Sequence, residues 1–124
     1  MEIKEYFFDT YALYEIAKGN KDYDRFKSGI AVITTHLNLM ELYYGLLLRH
    51  DEKTAERYYD VFKGYVVEIT DDIIKQAMKL KKQHKEKNLS YVDCIGYTIS
   101  LQRNIKFLTG DKEFKNLPNV EYVK

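Results

Sequence analysis

Ile3-Lys4-Glu5-Tyr6-Phe7-Phe8-Asp9, continued by Thr10-Tyr11-Ala12-Leu13-Tyr14-Glu15-Ile16-Ala17-Lys18, decides how the rest of this chain is read. The first segment predicts an aromatic-rich strand, and the second a helix that Gly19-Asn20 ends. Asp9 stands at their junction, and from Tyr6 to Tyr14 it is the only charged residue. Working outward, the same alternation recurs. Asp22 can start a short second helix, and Gly29-Ile30-Ala31-Val32-Ile33 reads as a brief β-branched strand. Thr34-Thr35 then offers a hydroxyl cap for a helix running to about His50. A charged helix over Glu52 to Lys63 follows, closed by Gly64. Tyr65 to Ile69 reads as a third strand. Thr70-Asp71-Asp72 caps a helix from Ile73 to about Lys87, and Ser90 caps another from Tyr91 to Arg103. Ile105 to Leu108 is a fourth strand and Val120 to Val123 a short fifth. Alternation of this kind implies an α/β fold, a mainly parallel four- to five-stranded sheet with helices on both faces.

At 124 residues, with no repeat, low-complexity tract or linker, residues 1–124 read as one domain. Apolar residues make up 45% and aromatics 15%, which argues against disorder. The start, Met1-Glu2-Ile3-Lys4-Glu5, lacks the basic-then-apolar pattern of a signal peptide. No apolar run approaches the roughly eighteen residues needed to span a bilayer. The single cysteine, Cys94, excludes an intramolecular disulfide and any CxxC motif, and it reads as a small buried hydrophobe. These features point to a cytoplasmic protein with no membrane association. The net charge of +1 predicts no particular partner by itself. Bases are concentrated locally, however. Lys79 to Lys87 carries five lysines against one glutamate, and Arg49, Lys53 and Arg57 form a second group. The ordinary reading of the lysine tract is a solvated helix face.

Three more acids share the isolation of Asp9. Glu41 is the only charge from Leu37 to Leu48, and Asp93 the only one from Asn88 to Gln102. Asp111 closes the apolar run Ile105-Lys106-Phe107-Leu108-Thr109-Gly110. In a chain that is 31% charged, a twelve-residue window should hold about four charges. Acids set in apolar segments are buried or nearly so, and a buried carboxylate needs a partner. Either distant bases neutralise these four, or the acids meet and share a cation. In parallel α/β sheets ligands bind beyond the carboxyl ends of the strands, where Asp9 and Asp111 fall. Asp93 lies in the first turn of its helix. Glu41 lies almost two turns into its own, with Leu37, Tyr44 and Leu48 on the same face, which is therefore expected to be buried.

Each acid except Glu41 also has a local explanation. Asp9 could cap the helix that follows. Asp93 with Ser90 matches a Ser-x-x-Asp capping box. Asp111 after Gly110 could be a turn residue. Glu41 caps nothing, and its neighbours are apolar, so the shared cation is the reading that covers all four. Four oxygen ligands without cysteine or paired histidine select Mg²⁺ or Mn²⁺. His36, His50 and His84 show no ligand spacing and read as surface residues. An open carboxylate cluster around such an ion suits phosphoryl chemistry, with one or two ions.

Phe7-Phe8-Asp9-Thr10, Glu41, Ser90-x-x-Asp93 and Leu108-Thr109-Gly110-Asp111-Lys112-Glu113-Phe114 together resemble the PIN-domain ribonucleases, and most closely the small VapC-type toxins of toxin–antitoxin pairs. The resemblance covers essentially the whole chain and rests on the ordered set rather than on any single motif. It implies a PIN-like, three-layer α/β/α fold and a metal-dependent endoribonuclease that cleaves single-stranded or looped RNA to a 5′-phosphate and a 3′-hydroxyl. Asp9, Glu41, Asp93 and Asp111 would be both catalytic residues and ligands of one or two Mg²⁺ or Mn²⁺ ions. Thr10, Ser90 and Thr109 would serve as supporting or phosphate contacts. A homodimer and a small antitoxin protein laid across the groove are implied as partners. Two departures stand out. The position of a further aspartate in many relatives is nearest Glu113, and the small residues that often follow the third acid are replaced by Cys94, Ile95 and Tyr97 around Gly96. Tyr43, Tyr44, Tyr58 and Tyr59 fit a dimer surface or plain core packing equally well. The alternative is a housekeeping RNA-processing nuclease of the same fold, or a binding module without turnover. A receiver domain would want a second acid where Phe8 stands, and an Asp-x-Asp phosphatase fails at Thr10-Tyr11.

Overall fold

Strand β1, Lys4–Phe8, lies in the middle of the sheet and sets the layers. Side chains alternate along a strand, so Tyr6 and Phe8 point to one face and Phe7 to the other. Phe8 and Tyr6 join a core with Ala12, Leu13, Leu39, Leu42, Leu46, Ala55 and Phe62. Those residues belong to α1 (Thr10–Lys18), α2 (His36–Arg49) and α3 (Glu52–Phe62). Phe7 joins a second core with Ile73, Ala77, Cys94, Ile95 and Ile99, supplied by α4 (Asp71–Gln83) and α5 (Tyr91–Arg103). The sheet is completed by β2 (Ile30–Ile33), β3 (Lys106–Thr109) and β4 (Val120–Tyr122), in the order β2-β1-β3-β4 with every pairing parallel. The expected α/β/α sandwich is therefore the fold. The structure is a computed structural model and describes residues 3–124. The first two residues of the N-terminal stretch read above, Met1 and Glu2, lie outside the described residues.

Most element ends follow the local chemistry. Gly19 closes α1 in the left-handed region at φ 83°, and Thr35, Thr70 and Ser90 cap α2, α4 and α5 with their hydroxyls. The short second helix is a 3₁₀ segment, Lys21–Phe26, capped by Asn20 rather than started by Asp22. Three expectations are corrected. Tyr65 to Ile69 is no strand. Its pairing is a single parallel bridge, Thr34 with Val66, made by Thr34 N to Tyr65 O at 3.1 Å and Val67 N to Thr34 O at 2.9 Å. The segment is consumed at both ends: Tyr65 completes a 3₁₀ turn (Lys63–Tyr65), and Thr70 already caps α4. Gly64 lies inside that turn rather than closing α3. Helix α4 stops at Gln83 instead of Lys87, because the chain must turn through residues 84–86 to bring Leu89 into the core and Ser90 to its cap.

Helix α5 is the most enclosed element, buried without a break from Cys94 to Ser100. It approaches the sheet at Gly96. A Cβ there would stand 2.5 Å from Phe7 Cε1 and 3.2 Å from Phe107 Cε1. Those two rings are stacked at 5.7 Å and are themselves fully buried, so neither can step aside. The bulky Cys94, Ile95 and Tyr97 are accommodated because this one position carries no side chain. Cys94 is buried as expected, and burial pushes its thiol up to about 11. We predict that Gly96→Ala destabilises the protein although alanine favours helix by about 1 kcal/mol, because overpacking costs roughly 1–3 kcal/mol. Gly96→Val should be worse. Denaturation midpoints in urea would show this order; an unchanged or raised midpoint for Gly96→Ala would refute the close packing.

Candidate active site

The chain leaves β1 toward β2 on one side while β3 pairs on the other, so the sheet's topological switch point is the gap between β1 and β3 at their carboxyl ends. Asp9 follows β1 directly, and Asp111 follows β3 by two residues. A cavity of about 270 Å³ opens here, and Asp9, Glu41, Asp93 and Asp111 all line it, together with Thr10, Tyr11, Tyr14, Leu42, Gly45 and Arg49. The four isolated acids of the sequence thus meet. Gly110 makes room at the turn: a Cβ on it would lie 2.2 Å from Cε1 of Tyr11, whose ring walls the cavity.

Each carboxylate is held by its own element. Asp9, 3% exposed, caps α1 by accepting the Ala12 amide at 2.8 Å. Its backbone amide donates to Leu108 O at 3.3 Å, tying it to β3. Burial pushes its pKa up to about 8. Hydrogen bonds from the Thr109 side chain and the Ala12 amide oppose that rise, and the charges of Asp93 and Asp111 add to it. Asp93 forms a capping box with Ser90, each amide donating to the other's side chain at 3.0 Å. Its pKa is also raised, chiefly by burial, against the Ser90 hydrogen bonds, with Asp111 and Glu41 adding repulsion. Asp111 accepts the Glu113 amide at 3.0 Å, and its own amide donates to the buried Thr109 hydroxyl at 3.0 Å. The local roles foreseen for three of these acids are all real, and they do not compete with the cluster.

Glu41 is fixed across elements instead. The Thr10 hydroxyl donates to Glu41 Oε1 at 2.6 Å, and Asn38 Nδ2 donates to Thr10 at 3.1 Å. The Thr35 hydroxyl holds Asn38 Oδ1 at 2.6 Å. Thr35 and Asn38 are buried; the sequence marks Thr35 only as a helix cap and gives Asn38 no role. A usable sign was present: Asn38 is a polar residue one turn before Glu41 on the same helix. The face of Glu41 was expected to be buried and is not. The buried stripe of α2 is Asn38, Leu39, Leu42 and Leu46, whereas Tyr44 and Leu48 are each 63% exposed. Glu41 sits at the boundary, where a charge can reach the cavity without entering the core. Glu113 does not line the cavity; it accepts the Asn88 amide at 3.0 Å. His36 and His50 are exposed and His84 half-buried, and none lines the cavity. Ser90 acts as a cap and is exposed.

The donor set decides which ion fits. One oxygen each of Glu41, Asp93 and Asp111 is anchored as described, and the other accepts no hydrogen bond from the described residues. The residues that carry them line a cavity rich in negative charge and, among the described residues, without sulfur or imidazole ligands, the chemistry of a hard cation. Among the described residues no three acidic, histidine or cysteine side chains converge tightly enough to enclose an ion unaided. A spread set around a roomy cavity suits an ion that keeps part of its water shell, as magnesium does.

A parallel α/β/α sandwich with four carboxylates at its switch point defines a class of acid-cluster proteins, and comparison gives the family. The PIN domain family matches residues 6–120, and the chain belongs to that family, to which nuclease chemistry is general. No curated protein matches the sequence. Among solved structures, the chain is similar to VapC20 of Mycobacterium tuberculosis, described as a sarcin–ricin loop cleaving toxin, with 20% identity and a TM-score of 0.82 over 94% of this chain and 97% of that one. It is also similar to a toxin–antitoxin complex from Klebsiella pneumoniae (20% identity, TM-score 0.73, covering 93% and 94%). VapBC2 of Rickettsia felis, bound to a DNA fragment from its promoter, matches at 19% identity and a TM-score of 0.72 over 97% and 99%.

The raised pKa of Asp9 gives a prediction for the metal-free protein. Because its folded value, about 8, exceeds the ordinary 3.8, the folded state holds a proton that the unfolded chain releases. That contribution is fully present below about pH 4 and is lost as pH rises through about 8. In EDTA the melting temperature should therefore fall by roughly 5–10 °C between weakly acidic and weakly alkaline pH, and Asp9→Asn should flatten the profile. A profile that rises with pH in the parent would contradict the burial of Asp9.

Proposed function

We propose that residues 1–124 form a single PIN-like domain acting as a Mg²⁺- or Mn²⁺-dependent endoribonuclease, the toxin of a VapBC-type toxin–antitoxin pair. The observation that carries this reading is the convergence of four carboxylates on one cavity, three of them with an oxygen that accepts no hydrogen bond from the described residues. Asp9, Glu41, Asp93 and Asp111 would hold one or two metal ions. A bound metal would lower the pKa of a water, so that hydroxide is available near neutral pH, and would supply positive charge for the departing oxygen. The chain's own residues do the placing. Asp9 and Asp111 are fixed to adjacent strands, Asp93 is locked by its capping box, and the Thr35–Asn38–Thr10 chain holds Glu41. The Thr109 hydroxyl accepts the Asp111 amide and lowers the pKa of Asp9, so it bears on both carboxylates. Tyr11 and Tyr14 line the same cavity and give it an aromatic wall.

Two further features support the toxin rather than a housekeeping enzyme. Met40, Tyr44, Leu47 and Leu48 form an exposed apolar strip on α2, beside the strip that carries Glu41. Such a strip favours a protein partner, and we assign it to a second copy of the chain or to a small antitoxin. Tyr43, Tyr58 and Tyr59 are half-buried against the core and so belong to packing, which leaves Tyr44, of these four, free for an interface. The structural relatives described as toxin–antitoxin complexes support the same assignment. Among the described residues no helix is long and apolar enough to cross a membrane; a cytoplasmic location is part of the proposal.

Cleavage of total RNA with Mn²⁺, and its loss in EDTA, is the direct test. Asp9→Asn should reduce cleavage a hundredfold or more, on the order expected for loss of a ligand, while the fold survives because asparagine caps helices as well as aspartate does. Asn38→Ala should cost about ten- to a hundredfold by releasing Thr10 and Glu41. Mn²⁺ should raise the melting temperature of the parent more than that of Asp9→Asn. A folded Asp9→Asn protein that cleaves at the parent rate would refute the assignment.

A further inference from the structure

Among the described residues Arg49 is the one basic residue lining the carboxylate cavity. Among the described residues no carboxylate oxygen lies within 4.0 Å of its guanidinium. The group rests on neutral surface instead. Its Cζ stands 5.4 Å from the ring centroid of Tyr14, a cation–π distance, and its Nη1 lies 3.4 Å from where a Cβ on Gly45 would be. Tyr14 is itself steadied, its hydroxyl 3.4 Å from His50 Nε2 and its ring 6.0 Å from Lys18 Nζ. Lys18 is already paired with Glu15 at 3.3 Å, so Arg49 is the cation left over.

The spacing gives this pair a direction. Glu41, Gly45 and Arg49 follow one another at four-residue steps on α2, as do Thr10, Tyr14 and Lys18 on α1, so each set shares a helix face. Thr10 bonds Glu41 at one end, and Tyr14 supports Arg49 further out. Along the axis about 12 Å of helix separates the backbones of Glu41 and Arg49, and the guanidinium folds back over Gly45 toward the acid. An arginine in the last turn of α2 also suits the helix dipole, but that role is met by a side chain pointing to solvent and does not require one folded over Gly45 into the cavity wall.

Resting on the nuclease reading above, we propose that Arg49 is a phosphate-binding residue of this site, holding a non-scissile phosphodiester of a single-stranded RNA whose scissile phosphate lies at the four carboxylates. A polyanion approaching four acids needs an opposite charge beside them, and an unpaired guanidinium presents two parallel donors matched to phosphate oxygens. Tyr14 is the positioning residue that keeps the fork in place.

The test uses the Asp9→Asn protein, which holds RNA without cleaving it, and a single-stranded RNA oligonucleotide of mixed sequence, with binding read by fluorescence anisotropy across a range of KCl concentrations. Adding Arg49→Ala should weaken binding about tenfold and flatten the plot of log Kd against log salt by about 0.7, the value for one phosphate contact on a single strand. Arg49→Lys should restore the slope but not the full affinity, since a point charge replaces the fork. Tyr14→Leu should give a partial loss that does not add to that of Arg49→Ala. Melting temperatures check that each variant is folded. An Arg49→Ala protein that is folded and keeps both affinity and slope overturns the inference while leaving cleavage by the parent untouched. If the parent cleaves no RNA with Mn²⁺ and Asp9→Asn binds none, the nuclease reading itself falls and carries this inference with it.

Discussion

The burial of Asp9 is the constraint on which the rest of the structure turns. It follows the central strand of the sheet, it is almost fully withdrawn from water, and its nearest charged neighbours are two more acids. A carboxylate in that position is costly, and two hydrogen bonds from Ala12 and Thr109 recover only part of the loss. A core built for stability alone would place an apolar residue here. Everything around Asp9 instead serves to hold more negative charge beside it: Asp111 is fixed through Thr109, Asp93 through its capping box, and Glu41 through Thr10 and Asn38. Local rules broken at one point and supported on every side mark a functional site.

The geometry also explains why helix capping and site building fell on the same residues. In a parallel α/β unit a strand's carboxyl end feeds directly into a helix's amino end, so caps gather where ligands bind. Asp9 caps α1, Asp93 completes the cap of α5, and Asp111 caps the 3₁₀ turn after β3. Each cap spends one carboxylate oxygen on a backbone amide and orients the other. The amino ends of α1 and α5 also bring their positive dipole ends toward the cluster, which offsets some of the mutual repulsion. A capping explanation for an acid is therefore no argument against its being a ligand in this fold.

This clarifies what was legible in the sequence and what was not. Strand–helix order, the parallel sheet and the four acids could be read because they depend on local pattern: alternation, caps and isolated charge. The segment from Tyr65 to Ile69 misled because Val66 and Val67 do alternate between the two cores, yet strand length is set by the neighbours, and the turn before and the cap after leave room for only one bridge. The face of Glu41 misled for a related reason. Four apolar residues lie on the exposed side of α2, and composition cannot tell an interior stripe from an interface stripe. The site roles of Asn38 and Arg49 were not legible because their partners, Thr10 and Tyr14, lie on another helix, and Thr35 reads only as the cap of α2.

Helix α2 then emerges as the element that joins these properties. One side packs Leu39, Leu42 and Leu46 into the core; the next carries Glu41, Gly45 and Arg49 along the cavity; the third exposes Met40, Tyr44, Leu47 and Leu48. These strips sit on one rigid rod whose inner side is locked, so a protein seated on the apolar strip stands at the rim of the carboxylate cavity. Under the proposed function, such a partner can obstruct an RNA strand by occupancy alone, without any change of shape in the enzyme.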